Sequence, residues 1–300
     1  KTIEKVVSDF KRVLPDAIIY VYDNNSTDDT EKLAKKAGAV VRHEYQQGKG
    51  NVVRRMFQEI DAHCYILVDG DDTYPAESAA KMVKLVQEHN ADMVVGDRLS
   101  STYFEENKRP FHNIGNCLVR GMVSKLFHGS IRDIMTGYRA FSYRFVKTFP
   151  ILSCRFEIET EMSIHAIDKR MQVENVIIPY RDRPEGSVSK LNTFLDGWSV
   201  IKTLIRLFRI YNPFAFFGII SIILFLISIV MFVPVLITYI ETGLVPRYPT
   251  LIVSGFLSVA AIQLAGVGIS LQNMLHKNRK DFELELYHAE IQERTEKDCK

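Results

Sequence analysis

The tetrapeptide Asp69-Gly70-Asp71-Asp72 follows directly on the apolar run Cys64-Tyr65-Ile66-Leu67-Val68. A short apolar run bounded by turn residues reads as a buried strand. Carboxylates crowded at the end of such a strand repel one another unless a cation lies between them. Hard divalent cations take oxygens from one or two carboxylates and complete their shell with substrate phosphates. Ligands of open α/β sheets also bind at the strand ends. The turn therefore fits a metal–diphosphate site with Asp69 and Asp71 as ligands. A solvated turn, in which Asp and Gly are common, is the plain alternative.

Two further turns open helices. Tyr22-Asp23-Asn24-Asn25-Ser26-Thr27-Asp28-Asp29-Thr30 follows a strand pattern. Ser26 or Thr27 can cap the helix, and Asp28 and Asp29 suit its positive end, which is a complete structural account. Asp23, at the end of the strand, can also accept hydrogen bonds from a nucleobase or ribose. Gly48-Lys49-Gly50 precedes another helix, with Arg54 and Arg55 behind it. Glycines let backbone N–H groups approach an anion at a helix start; an ordinary turn explains the same residues.

The elements that must position these turns alternate between strand and helix. Thr2 to Val13 reads as a helix, Ala17 to Tyr22 as a strand and Asp28 to Ala37 as a helix closed by Gly38. Ala39 to Arg42 reads as a strand, Gly50 to Ile60 as a helix, and Cys64 to Val68 as the strand feeding the acidic turn. A helix beginning near Pro75 and the strand Ala91 to Val95 follow. Such alternation predicts a mostly parallel sheet flanked by helices. Arg109 to Phe127 and Glu157 to Lys169 read as helices and Val173 to Tyr180 as a strand. Within the second of these helices, Glu157 and Glu161 lie one turn apart on one face, where they could accept from ligand hydroxyls, although acidic residues at a helix start need no ligand.

The chain of 300 residues carries a net charge of only +2, and that average hides two unlike halves. Charges are spread through residues 1–190. None occurs from Pro213 to Ile240 or from Pro249 to Leu275, and each stretch exceeds the roughly 20 apolar residues that cross a bilayer. The connector Glu241 to Tyr248 is short. Lys202, Arg206 and Arg209 precede the first stretch, and His276, Lys277, Arg279 and Lys280 follow the second. The positive-inside bias then predicts that the large domain and the tail are cytoplasmic. Phe194 to Tyr211 places apolar residues at helical spacing with interleaved basic ones, the pattern of a helix in the membrane interface. Cys64, Cys117, Cys154 and Cys299 show no metal-type spacing, which suits a reducing compartment. The basic patches lack the aromatic interleaving of a nucleic-acid surface. The chain opens on a helix without Met, and a preceding segment is expected upstream.

Together, Asp23 to Thr30, Gly48-Lys49-Gly50, Asp69-Gly70-Asp71 with Thr73-Tyr74-Pro75, Asp133 with Thr136-Gly137-Tyr138-Arg139, and the loop Arg183 to Lys190 occur in the order seen in family-two glycosyltransferases of the GT-A fold. With two C-terminal spans, the chain resembles the polyprenyl-phosphate glycosyltransferases, relatives of dolichol-phosphate mannose synthase and the GtrB-type enzymes. Where that family has Asp-Asp-Gly-Ser this chain has Asp23-Asn24-Asn25-Ser26, and it lacks the Trp motif of polymer-making members.

The resemblance implies an α/β GT-A domain, Rossmann-like, over residues 1–190, its first strand expected upstream. An amphipathic interface helix (191–212), a two-span hairpin (213–275) and a tail helix (276–300) follow. It implies inverting transfer of one sugar from a nucleotide-diphosphate sugar to polyprenyl phosphate, with Mg2+ or Mn2+ held by Asp69 and Asp71. A UDP-hexose is the preferred donor and GDP-mannose the second; a protein or oligosaccharide acceptor, or a non-catalytic scaffold, are the competing readings. Asp133, Asp71 and Arg98 would be catalytic, Asp133 as base or orienting group and Arg98 on the acceptor phosphate. Asp23, Asn25, Lys49, Asp69, Arg109, Arg139, Arg183, Ser187 and Lys190 would bind substrate. A homo-oligomer, expected to be a tetramer, anchored in the lipid bilayer completes the expectation.

Overall fold

A computed structural model describes residues 2–98, 131–153, 157–179, 205–206 and 208–298. Helix α1 (Ile3–Val13) buries Ile3, Val6, Val7 and Phe10, spaced so that one face is apolar. Strand β1 (Tyr20–Asp23) crosses through α2 (Thr30–Lys36) to the parallel strand β2 (Val40–His43), with Asp23 paired to His43. Gly38 ends α2 in the left-handed region at φ 85°, where an L side chain would be strained.

Helix α3 (Lys49–Glu59), strand β3 (Cys64–Leu67), helix α4 (Ser78–Glu88) and strand β4 (Met93–Asp97) continue the alternation. Beyond them the pattern breaks. Strand β5 (Arg139–Ser142) inserts antiparallel between β3 and β4, and β6 (Val173–Ile177) pairs parallel with β4, giving the order β3-β5-β4-β6. The sheet is therefore mostly parallel, as expected, with β3, β4 and β6 running in one direction and β5 alone reversed. The physical reason is the connection: a parallel neighbour needs a crossover that returns the chain to the starting edge, whereas β5 enters from the opposite end.

Short helix α5 (Tyr143–Thr148) is capped by Ser142, whose hydroxyl accepts from Phe145 N. Helix α6 (Ile158–Asp168) is buried along most of its length. Every residue of β4 is buried, as befits a strand covered on both faces. Met82, Val94, Tyr138, Ala140 and Ile178 fill the space between α4 and the sheet. Each large side chain contributes about 1.5–3 kcal/mol on burial.

The chain divides into two compact units, residues 1–197 with 282–300, and residues 198–281. The second contains α7 (Pro213–Thr242) and the first part of α8 (Tyr248–Asp298). Both helices are long and apolar enough to cross a membrane. Asn212 caps α7 from its side chain, Pro213 occupies the first turn, and Gly243 ends it at φ 67°. The two helices meet through Ser221, which donates to Ala261 O at 2.7 Å, and Ser228, which donates to Ser254 O at 2.7 Å. Most of their large apolar side chains face outward, an arrangement suited to lipid rather than water.

The end of α8 belongs to the first unit. Phe282 is buried there, edge-on to His165 with ring centroids 5.2 Å apart and 5.1 Å from the Lys169 ammonium. Glu290 accepts from Arg144 at 2.9 Å. The expected interface helix falls mostly outside the described residues.

Candidate active site

The functional side chains gather where β1, β3 and β4 end. Lys49 opens α3, and its Nζ lies 2.6 Å from Asp69 Oδ1 and 2.6 Å from Glu159 Oε1. Burial by itself would push the Lys49 pKa down. The charges of Asp69 and Glu159 and their hydrogen bonds outweigh it, and the pKa rises above the ordinary lysine value. Glu159 is 6% exposed, and its Oε2 has no hydrogen-bond partner.

Gly137 closes over this pair. A Cβ there would lie 2.5 Å from Asp69 Oδ2 and 2.8 Å from Lys49 Nζ, so a side chain at 137 would have to push one of these two charged ends aside. The loop is held by Tyr74, whose hydroxyl accepts from Gly137 N at 3.1 Å. Burial raises the Tyr74 pKa.

The acids of the turn take different partners. Asp71 Oδ1 accepts from Thr73 Oγ1 at 2.7 Å. Asp72, in the left-handed region at φ 61°, pairs with Lys5 on α1. Asp69 and Asp71 thus offer hard oxygen donors on one turn, and the open side of Gly137 faces an Asp69 oxygen. That donor set fits a Mg2+- or Mn2+-class cation. Among the described residues no group of three or more His, Cys, Asp or Glu side chains converges as a metal cage.

Beyond β4, Arg98 Nε donates to Asp133 Oδ2 at 2.8 Å and Nη2 to Oδ1 at 3.3 Å. Asp133 is fully buried and also accepts from Met135 N at 3.2 Å. The Arg98 guanidinium lies 5.8 Å from the Tyr74 ring centroid, within cation–π range.

Arg139 requires a correction. It was expected at the substrate, but its side chain is wholly buried. Nη2 donates to Ile134 O at 2.6 Å and Nε to Thr136 O at 3.0 Å. Burial pulls its pKa down to about 10. Its chemistry is spent on fixing the 134–136 backbone, which presents Asp133 and Gly137. Glu161 is likewise structural, accepting from Ser153 N at 2.9 Å and Leu152 N at 3.2 Å. Glu159, between the two glutamates expected to meet a sugar, is the one that reaches the site. Periodicity could have singled it out only if the buried face of α6 had been known.

Asp23 is 5% exposed at the end of β1. Asn25, at φ 61°, donates to Tyr45 O at 3.0 Å. Asn24 ties the β1 turn to the glycine turn: its Oδ1 accepts from Gly48 N at 2.8 Å. His43, which the sequence did not single out, stands beside Asp23 because their strands are in parallel register. Arg109, Arg183, Ser187 and Lys190 lie outside the described residues.

A mixed sheet with paired acids, a lysine and a glycine cradle at its strand ends, followed by two apolar helices, defines a GT-A-type glycosyltransferase. The chain belongs to glycosyl transferase family 2, whose profile matches residues 1–150. It is 34% identical over 219 residues to the glycosyltransferase AglJ of Haloferax volcanii, covering 73% of this chain and 71% of AglJ. It is 27% identical over 206 residues to the dolichyl-phosphate hexose transferase of the same organism, covering 69% and 88%. In fold it is similar to glucosyl-3-phosphoglycerate synthase of Mycobacterium tuberculosis, with a TM-score of 0.54 at 20% identity, covering 68% of this chain and 75% of that one.

Proposed function

We propose that the protein transfers one hexose from a nucleotide-diphosphate sugar to a polyprenyl phosphate at the cytoplasmic face of a membrane, with inversion at the anomeric carbon. The observation that carries this reading is the Lys49–Asp69 pair beneath Gly137, beside Asp71: a cation and two carboxylates presented where a diphosphate can approach backbone. Asp69 and Asp71 would hold the divalent cation, with phosphate oxygens and water completing its shell. When bound, such a cation supplies Lewis-acid neutralisation of charge on the departing diphosphate.

The remaining chemistry belongs to the chain's own residues. Lys49 adds positive charge beside the same diphosphate. Arg98, aligned by Asp133, would hold the acceptor phosphate. A phosphate monoester has a second pKa near about 6 and is largely dianionic at neutral pH, so it needs no strong base. Asp133, with both oxygens accepting from Arg98, acts here as the orienting group. An acceptor oxygen attacks the anomeric carbon, the bond to the donor diphosphate breaks, and nucleoside diphosphate leaves. The requirement is for cations that keep two anionic groups in line.

The dolichyl-phosphate hexose transferase relative supports the lipid acceptor, and the two apolar helices support a membrane anchor. The basic residues flanking them support a cytoplasmic catalytic domain. The resemblance to GtrB-type enzymes favours a UDP-hexose over GDP-mannose, and a homotetramer. The test is release of nucleoside diphosphate by the full chain in liposomes, with and without polyprenyl phosphate and with Mg2+, Mn2+ or EDTA. Release requiring both lipid phosphate and metal is expected. Release that ignores the lipid would move the acceptor to another class, and no release under any condition would leave a non-catalytic scaffold.

A further inference from the structure

Lys49 divides one ammonium between two acids that belong to different elements. Its Nζ lies 2.6 Å from Asp69 Oδ1 on the β3 turn and 2.6 Å from Glu159 Oε1 on α6. The two contacts are equal in length and unequal in surroundings. The Asp69 side chain is 35% exposed, whereas Glu159 is buried. A charge pair is weakened by water and ions on its open side and strengthened where they are excluded. The ammonium is therefore held chiefly from the Glu159 side.

Glu159 cannot follow its partner outward. Ser163, one turn further along α6, donates to Glu159 O at 2.9 Å and lies 3.4 Å from Ile134 O. The same Ile134 carbonyl accepts from Arg139 Nη2, so the start of α6 is tied to the 134–136 backbone. Arg139 is a second buried cation on which the charge of Glu159 acts. Its own hydrogen bonds run to the carbonyls of Ile134 and Thr136 and to the Met93 sulfur. Glu159 thus supplies fixed negative charge to two buried cations, directly behind the acid that meets solvent.

We propose that Glu159 is the counter-charge that keeps Asp69 available to a divalent cation. The proposal rests on the reading of Asp69 and Asp71 as metal ligands. Without Glu159, Lys49 would turn its whole charge on Asp69, and a dication would meet a carboxylate already neutralised. By taking a share of the ammonium, Glu159 leaves negative charge on the turn for the cation and keeps Lys49 beside it. The effect has a sign for each residue. Removing the Glu159 charge weakens cation binding, removing the Lys49 charge strengthens it, and removing both restores the starting balance.

The test is Mn2+ titration of the full chain in detergent, without nucleotide, with free Mn2+ read by electron paramagnetic resonance. Glu159→Gln should bind Mn2+ about fivefold more weakly and Lys49→Met about fivefold more tightly. The double variant should lie near wild type, and Glu159→Asp, which keeps the charge, should retain the wild-type affinity. A merely structural role for Glu159 would not be rescued by Lys49→Met. Thermal unfolding of each variant reports its fold. If Glu159→Gln does not fold, Lys49→Met decides by itself, since its expected change has the opposite sign. An unchanged affinity in a folded Glu159→Gln, an equal loss in Glu159→Asp, or weaker binding in Lys49→Met overturns the proposal and leaves Asp69 and Asp71 as ligands. Wild type that takes up no Mn2+ overturns the metal reading and the proposal together.

Discussion

Lys49 and Glu159 are 110 positions apart in the chain, yet Nζ of one lies 2.6 Å from Oε1 of the other. The contact joins the first residue of α3 to the first turn of α6. It places a nearly buried cation between an acid of the β3 turn and an acid of the helix that connects toward β6.

Lys49→Met should leave two carboxylates in the site without their common counter-ion. Turnover is expected to fall at least 100-fold, with donor affinity reduced, while Glu159→Gln, which keeps a polar acceptor, should cost less. Steady-state kinetics with titrated donor checks this. The raised pKa also fixes a sign. The stabilising charge is fully present below the ordinary lysine value of 10.5 and is lost only as pH rises beyond it. Activity between pH 6 and 9 should therefore show no limb that disappears in Lys49→Arg.

Gly137→Ala adds one methyl at a point 2.5 Å from Asp69 Oδ2. Either the ion pair opens or the loop retreats. Both outcomes spoil the donor site while leaving the core untouched. Loss of turnover of at least 100-fold, with thermal unfolding lowered by only a few degrees, is expected. Full activity would show that the close approach is dispensable.

Arg98→Ala strands Asp133, which is fully buried. Removing one partner of a buried pair costs about 3–5 kcal/mol, so denaturant unfolding should shift strongly. Arg98→Ala with Asp133→Asn removes the stranded charge and should recover much of that stability but no activity. Recovery of activity in the double variant would dismiss Arg98 as an acceptor ligand.

His165 contributes an acid limb to the pH dependence of folding. It is enclosed by Phe145, Phe149 and Phe282, with Lys169 and Asp168 as its charged neighbours. Burial, reinforced by the Lys169 cation and opposed by Asp168, pulls its pKa down from 6.5 to about 4. The folded state thus holds the neutral ring. Its stability is complete above pH 6.5 and is lost as pH falls toward 4, by about 3 kcal/mol over that window. His165→Leu should flatten this limb in unfolding experiments between pH 7 and 4. Phe282→Ala, which opens the enclosure, should raise the His165 pKa measured by NMR and cost about 3 kcal/mol.

Much of this protein is local, and the local part was legible. The helices α1 to α4, the strands β1 to β4 and both apolar helices follow from periodicity and punctuation by Gly and Pro, because each buries a face set by its own residues. The acidic turn followed for the same reason, since a strand end and its next three residues are neighbours in sequence and in space.

The rest depended on which segments meet. Arg139 belongs to a conspicuous motif, but only the antiparallel insertion of β5 showed that its guanidinium is consumed by the carbonyls of Ile134 and Thr136. Glu159 looked no different from Glu157 and Glu161 until α6 turned one of the three toward Lys49. His43 is one histidine among eight, and only parallel register set it against Asp23. The residue types at the strand ends could be read along the chain; the pairing of charges across 110 positions could not, because it is decided by packing of the sheet and its helices and leaves no local pattern.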